Sequence, residues 1–387
     1  MSQAYYLNVS RASDLKDPKE RLLYRFFEIL PGLLSFGSLG AIVLCSWLFP
    51  RIVAFFVFGF IIYWLCRTVY FSFHLRAGYK KMREHEKVDW IGKLMDIASW
   101  QDMYHLAVVV TYKEPYEIVR ECLLSIQRSD YPKDKVIVVV AAEERAGARA
   151  KETASLLEKE FKDSFFRFLV IWHPAGLPGE IAGKGSNEAW ATREAKEKLI
   201  DPAGIPYSHI ISTSLDADTV VLPKYFSCLA YHYVTLPNSS RASFQPIPLF
   251  INNIWQAGAL SRVFSFSSTF WQVMNQEREE KLITFSSHSM SFQALVDVGF
   301  KQKNVVSDDS HIFWQCFLHY DGNYRTYPLY YPIRMDANAA KTLFETMKNM
   351  YRQQRRWAYG VVEIPYFLFG FLKNNKIPLS KKISLAF

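Results

Sequence analysis

Cysteine is scarce in this sequence of 387 residues: there are five, an odd number, with no Cys-x-x-Cys pair among them. That argues against a disulfide framework or a thiolate zinc site and fits a reducing compartment. No Gly-x-Gly-x-x-Gly fingerprint is present, which counts against a dinucleotide enzyme. There is no Ser-His-Asp order and no histidine pair at metal-ligand spacing, so His288 and His311 read as structural. Internal repeats and low-complexity segments are absent too. Acidic residues are the minority, 37 against 46 Lys and Arg, for a net charge of +9. No stretch joins clustered Arg and Lys to an exposed aromatic platform. The basic excess therefore points to anionic lipid or phosphate-bearing ligands, and not to nucleic acid.

What abounds is apolar. Half of the residues are hydrophobic and 16% are aromatic, which suits a large core with lipid-facing surface and does not suit disorder. Two apolar stretches, 29–49 and 52–73, each match the roughly 20 residues with which a helix crosses a bilayer. Only Pro50 and Arg51 separate them, so a tight transmembrane hairpin is expected, with Trp47, Tyr63, Trp64 and Tyr70 suited to interfacial belts. A buried helical pair in a soluble protein is the plainer alternative. The residues ahead of the hairpin are polar and carry both signs of charge, unlike a cleavable signal. Arg11, Lys16, Lys19, Arg21 and Arg25 precede it, and Arg76, Lys80, Lys81, Arg83 and Lys87 follow. By the positive-inside tendency both flanks face the cytoplasm, as in a multi-pass protein of the inner or plasma membrane.

The expected organisation is a cytoplasmic segment (1–28), two membrane helices (29–75), a charged connector (76–104), a catalytic domain (105–360) and a tail (361–387). The domain shows α/β alternation. Strands are expected at Leu106–Val110, Val136–Ala141, Phe168–Trp172 and Ile210–Leu215, with helices at 115–127, 148–161 and 187–199. A Gly/Pro-rich loop spans 174–185. Such alternation implies a doubly wound sheet with ligands at the carboxyl ends of its strands. In the tail, Val361 to Leu372 is short, aromatic and broken by Pro365, and reads as an interfacial amphipathic segment. The Lys-rich stretch up to Phe387 reads as the approach to further membrane helices.

Three motifs carry chemistry, and each also has a bland account. Asp216-Ala217-Asp218 follows a strand, where two carboxylates can share one Mg²⁺ or Mn²⁺ with diphosphate oxygens, or form an ordinary acidic turn. Ser307-Asp308-Asp309 opens a helix. Ser307 is a natural cap there, and either acid is a candidate general base kept ionised by the helix dipole. Gln353-Gln354-Arg355-Arg356-Trp357 sets guanidinium groups for a diphosphate beside an indole for a sugar ring, or is a basic helix on lipid headgroups. Lys184, between two glycines, offers a point charge for phosphate or is a loop lysine.

Taken in order with Val108-Val109-Val110-Thr111-Tyr112-Lys113-Glu114, these motifs resemble those of the processive-type family 2 glycosyltransferases, which include cellulose and hyaluronan synthases. The resemblance spans roughly 105–365. It implies a GT-A-type, Rossmann-like mixed sheet and an inverting transfer from a nucleotide-sugar donor, with a UDP-sugar the first expectation. By position, the resemblance assigns Thr111, Tyr112, Glu114, Lys184, Asp216 and Arg356 to the donor. Asp218 and Asp216 fall to the metal, Asp309 and Asp308 to catalysis with Asp309 the base, and Gln353, Trp357 and Gln245 to the acceptor. Where the family has an Asp after the second strand this chain has Glu143, expected to substitute at the donor. The acceptor would be a saccharide, as in a polysaccharide synthase, or lipid-linked in a single transfer. A catalytically silent membrane scaffold of the same fold is the non-enzymatic alternative, and a nucleotidyltransferase of related fold a further one.

Overall fold

The computed structural model describes residues 4–340 and 342–386; Phe387, at the end of the expected tail, lies outside them. Two long helices lead, α1 (Pro18–Leu48) and α2 (Pro50–His85), joined at Phe49. The Asp17 side chain caps α1 by accepting from the Lys19 amide, and Pro18 takes the first helical position, where its missing N–H costs nothing. Both helices are long and apolar enough to cross a bilayer, and their apolar windows are not buried in the protein. The second is longer than expected. Its 36 residues reach on the order of 54 Å, well past a hydrocarbon core of roughly 30 Å. The turns beyond residue 76, expected as a connector, continue α2 onto the α/β body. Met82 packs with Ile247 and Val273. At Gly78 a Cβ would stand 2.4 Å from the Val273 carbonyl oxygen, so only glycine lets the helix approach this closely.

After the short α3 (Trp90–Met95), strands β1 (Tyr104–Val110), β2 (Val136–Glu143), β3 (Arg167–His173) and β4 (Ile210–Asp216) alternate with α4 (Tyr116–Gln127), α5 (Ala148–Phe161) and α6 (Lys184–Ala195). The one-turn α7 (Asp201–Ala203) completes the last crossover. There follow β5 (Val220–Val221), α8 (Tyr225–Thr235), β6 (Ala242–Phe250), α9 (Ala259–Asn275), β7 (His288–Ser291) and α10 (Phe292–Asp297). The chain continues through α11 (Asp308–His319), β8 (Arg325–Met335), α12 (Leu343–Ala358), α13 (Glu363–Lys373) and α14 (Leu379–Ala386). Among the described residues the eight strands form one mixed sheet in the order β3-β2-β1-β4-β7-β6-β8-β5. The first four are parallel, whereas β7 runs antiparallel to both β4 and β6.

Strands β1 and β2 read as nearly unbroken apolar runs because helices cover both faces. Ala107, Val109, Val138 and Val140 join one core cluster, while Leu106, Val108, Ile137 and Val139 join the other. From β1 the chain winds outward to β2 and β3, then returns to β4 on β1's other side. That reversal opens a crevice at the carboxyl ends of β1 and β4, the place where open α/β sheets bind ligands.

The tail departs from expectation. Helix α13 buries Tyr366, Phe367, Phe369 and Phe371. Trp314 of α11 stacks on Phe367 with centroids 4.4 Å apart, and Tyr24 of α1 meets Phe369 edge-on at 5.3 Å. The aromatic face is thus turned to protein, not to an interface. Pro365 falls in the first helical turn, where it breaks no helical hydrogen bond.

Candidate active site

The crevice is a cavity of about 820 Å³. Its first wall is the turn after β1. The Glu114 carboxylate accepts from the Thr111 hydroxyl (3.0 Å) and from the amides of Tyr112 (2.6 Å) and Lys113 (3.1 Å), so it closes this turn from within. Beyond β2, the buried Glu143 is paired with Arg145, whose guanidinium lies 4.4 Å over the Tyr112 ring. A charged plate and an aromatic edge therefore border this end of the cavity.

Asp216 ends β4. Its amide donates to the Ser287 hydroxyl (3.1 Å), and the Ser286 hydroxyl donates to its carboxylate (2.6 Å). Gln245 supports this arrangement from behind. Its amide nitrogen donates to the Phe285 carbonyl (3.1 Å), and its oxygen accepts from the Phe285 amide (2.8 Å). Fully buried and spent on the 285–287 turn, Gln245 does not line the cavity, which corrects the expectation that it contacts an acceptor. Asp218 has an acidic setting. Burial, then the charges of Asp216 and Asp336, push its carboxyl up to about 7.

Lys184 was expected in a loop but opens α6, and Gly185 behind it is tightly constrained: a Cβ there would sit 2.6 Å from the Asp308 Cβ. The close approach brings α6 against the start of α11. Lys184 Nζ lies 2.7 Å from Asp216 Oδ1 and 2.9 Å from Asp309 Oδ1. From the interior, Lys301 Nζ reaches Glu188 (2.7 Å), Asp308 (3.2 Å) and Asp309 (3.5 Å). Ser307 holds the cap position but its side chain makes no capping bond. The capping half of the bland account therefore fails on geometry, although both acids do lie in the first turn of α11, where the helix dipole favours them.

The two neighbouring acids differ. The Asp308 side chain is 5% exposed, against 27% for Asp309. Burial, with Asp309 beside it, raises the Asp308 carboxyl to about 7. For Asp309 burial acts upward as well, but the ammonium groups of Lys184 and Lys301 outweigh it and hold the carboxyl well below the usual range. Asp309 is thus the acid that stays ionised and faces the cavity.

The remaining wall comes from α12, whose Gln353, Arg356 and Trp357 line the cavity. Trp357 meets Phe285 edge-on at 6.0 Å. His288 and His311 are buried, with imidazoles lowered by burial to about 4 and about 3, and neither lines the cavity. Every other expected site residue borders this one space. Sequence reasoning missed Arg145, Glu188, Ser286, Lys301 and Asp336, which lie in no motif. The positive φ of Phe300, just before Lys301, leaves no trace in sequence.

As a metal site the arrangement is partial. Among the described residues, no three His, Cys, Asp or Glu side chains form a cage. Asp218 and Asp216 nevertheless fit a hard cation that draws its other ligands from a diphosphate, because the half-buried Asp218 stands among like charges that such a cation would relieve.

Residues 212–384, less than half of the chain, match the family model described as glycosyl transferase family group 2. The match takes in most of β4, both acidic motifs and α12, and it supports a family 2-type glycosyltransferase. A mannosyltransferase from Pyrobaculum calidifontis, solved with GDP-Man and Mn²⁺, is 16% identical with a TM-score of 0.46, over 83% of this chain and 82% of its own. S. aureus TarS (1–349), solved with UDP-GlcNAc, is 14% identical with a TM-score of 0.40, over 62% of this chain and 60% of its own. No curated protein matches by sequence. The family match and the site geometry, rather than these distant likenesses, carry the functional reading.

Proposed function

We propose that the protein is a membrane-bound, inverting glycosyltransferase that moves a sugar from a nucleotide-sugar donor to an acceptor hydroxyl. The observation that carries this reading is the convergence of Asp216, Asp218, Lys184, Asp309, Arg356 and Trp357 on one cavity at the β1/β4 crevice. Thr111, Tyr112, Glu114 and Glu143 border the nucleoside end, and Lys184 and Arg356 face the diphosphate. Asp309 takes the proton of the acceptor hydroxyl as its oxygen bonds to the anomeric carbon. The bond to the diphosphate breaks in the same displacement, and the nucleoside diphosphate leaves. An α-linked donor gives a β product. Asp218 and Asp216 would hold Mg²⁺ or Mn²⁺, which supplies positive charge against the leaving group when bound. Gln353 and Trp357 form the acceptor end.

Membrane attachment rests on α1 and α2, with the soluble body on the cytoplasmic side of an inner or plasma membrane. Exposed apolar stripes support it. Leu260, Val263, Phe264 and Trp271 form one on α9, and Leu343, Phe344, Met347 and Tyr351 form another on α12, beside the exposed Lys348, Arg352 and Arg355. Trp271 touches Phe71 of α2, with centroids 6.0 Å apart. The acceptor in the first reading is a growing saccharide, as in polysaccharide synthases. A lipid-linked acceptor is the second reading. It is favoured by α12 itself, which carries the exposed apolar Leu343, Phe344, Met347 and Tyr351 on the same helix as the cavity-lining Gln353 and Trp357.

The test is nucleoside diphosphate release from a panel of UDP- and GDP-sugars, with Mg²⁺ or Mn²⁺ and saccharide or lipid-linked acceptors. Release that depends on acceptor supports the reading. Pyrophosphate released instead from a nucleoside triphosphate and a sugar 1-phosphate would make the protein a nucleotidyltransferase, and silence in both assays would favour a scaffold.

A further inference from the structure

A lysine that is only 3% exposed is rare unless its own charge is paired and hydrogen-bonded. Lys301 meets that condition in an unusual way. The turn after α10 runs through Gly299 and Phe300, both with positive φ (77° and 73°). Gln315 braces the turn by donating to the carbonyls of Val298 (3.1 Å) and Phe300 (2.9 Å). This strained passage delivers the Lys301 ammonium beneath the start of α11. There it touches Glu188 of α6, itself hydrogen-bonded by Ser214 of β4 at 2.7 Å, together with Asp308 and Asp309. Three elements thus converge on one cation. Lys301 does not line the cavity, so it cannot touch substrate.

Asp309 Oδ1 is consequently shared by two lysines, at 2.9 Å from Lys184 and 3.5 Å from Lys301. They are not equivalent. Lys184 borders the cavity and also pairs with Asp216, so under the proposed function a donor diphosphate competes for it. A base still bonded to Lys184 would have one oxygen occupied and be a poor proton acceptor. We propose that Lys301 is the positioning residue for Asp309: a fixed internal counter-ion that holds the carboxylate in place once Lys184 turns to the donor's phosphates. This inference rests on the proposed role of Asp309. The groups that act on Asp309 are Lys184 of α6, Lys301 of the α10–α11 turn and His288 of β7. Asp308 beside it and Glu188 of α6 share Lys301, and Glu363 of α13 feels its charge.

The test uses the full chain in lipid nanodiscs. Lys301→Met alone strands Glu188, so the informative variant is Lys301→Met/Glu188→Gln, which removes both buried charges together. Infrared pH-difference spectra, with the Asp309 band assigned through Asp309→Asn, need no substrate. The carboxyl is expected to protonate about one to three pH units higher in the double variant than in wild type. Glu188→Gln alone, which frees Lys301 for the aspartates, should move it lower. An unchanged Asp309 titration in a folded double variant overturns the proposal, because Lys301 would then merely neutralise Glu188. If the double variant does not fold, Glu188→Gln decides: a titration that stays put, or moves up, overturns it equally. The acid limb of kcat/KM should shift with the infrared titration. A wild type that turns over no donor yet shows these shifts would defeat the proposed function and leave the Lys301–Asp309 coupling standing.

Discussion

The two ends of the cavity hold acids under opposite conditions. At the α6/α11 end, Asp309 lies between Lys184 and Lys301 and stays ionised although largely enclosed. At the β4/β8 end, Asp218 lies among Asp216 and Asp336, and its carboxyl is pushed up to about 7. The same residue type in the same cavity is a ready-made base at one end and a group that favours a proton, or a cation from outside, at the other. Neighbouring charge, far more than burial, makes the difference, since both groups are desolvated.

The comparison breaks most visibly at Asp309. Asp309→Asn keeps the start of α11 and removes the proposed proton acceptor, so transfer should fall about 10²–10⁴-fold while the nucleotide still binds. Calorimetry of nucleoside diphosphate binding beside an initial-rate assay checks this. Near-normal transfer would leave the lysine-held end without a catalytic role.

At the other end the expected effect is on cation response. Mn²⁺ with nucleoside diphosphate should raise the melting temperature of the wild type, by an amount equivalent to about 2.7 kcal/mol at a hundredfold excess over Kd. Asp218→Asn should lose most of that rise. An equal rise in the variant would place the cation elsewhere.

Glu363 sharpens the contrast from behind the base. Its buried carboxyl accepts from the Ser310 hydroxyl and from the Trp314 indole (3.1 Å), and burial raises it to about 7. Because the folded chain holds this proton more tightly than the unfolded one, the Glu363 contribution to stability declines as pH rises from about 4.5 to 7. Glu363→Gln should therefore gain stability relative to wild type across that window, on the order of 1–3 kcal/mol. Paired melts at pH 5 and 8 measure it; a constant difference would mean that Glu363 is already ionised.

The smallest effect belongs to the rim. Trp357→Ala should raise the acceptor KM by about two- to tenfold, the equivalent of about 0.5–1.5 kcal/mol of aromatic contact, and leave donor affinity alone. Acceptor kinetics that do not move would reduce the indole to a partner of Phe285.

Much of the sheet was legible because buried parallel strands write themselves as short apolar runs. Val136–Ala141 could scarcely be anything else, and Asp216-Ala217-Asp218 follows its strand just as the strand end requires. The misreadings share one cause. Gln245 and the aromatic run of α13 have compositions that suit a ligand pocket and a lipid interface, yet each is used up by protein partners distant in sequence. Ser307 has the residue type of a helix cap but not the geometry of one.

The sequence by itself determined what neighbours along the chain can decide: the hairpin, the α/β alternation, the acids at strand and helix ends, and the Gln-x-x-Arg-Trp helix. Only the tertiary structure decided which of those acids stays ionised. That depends on Lys301 meeting Glu188 across 113 residues of sequence, on Asp336 reaching Asp218 across 118, and on Gly185 letting two helices touch. Electrostatic environment is a property of distance in space, and Coulomb interaction in a desolvated site is strong enough to send two aspartates of one cavity in opposite directions.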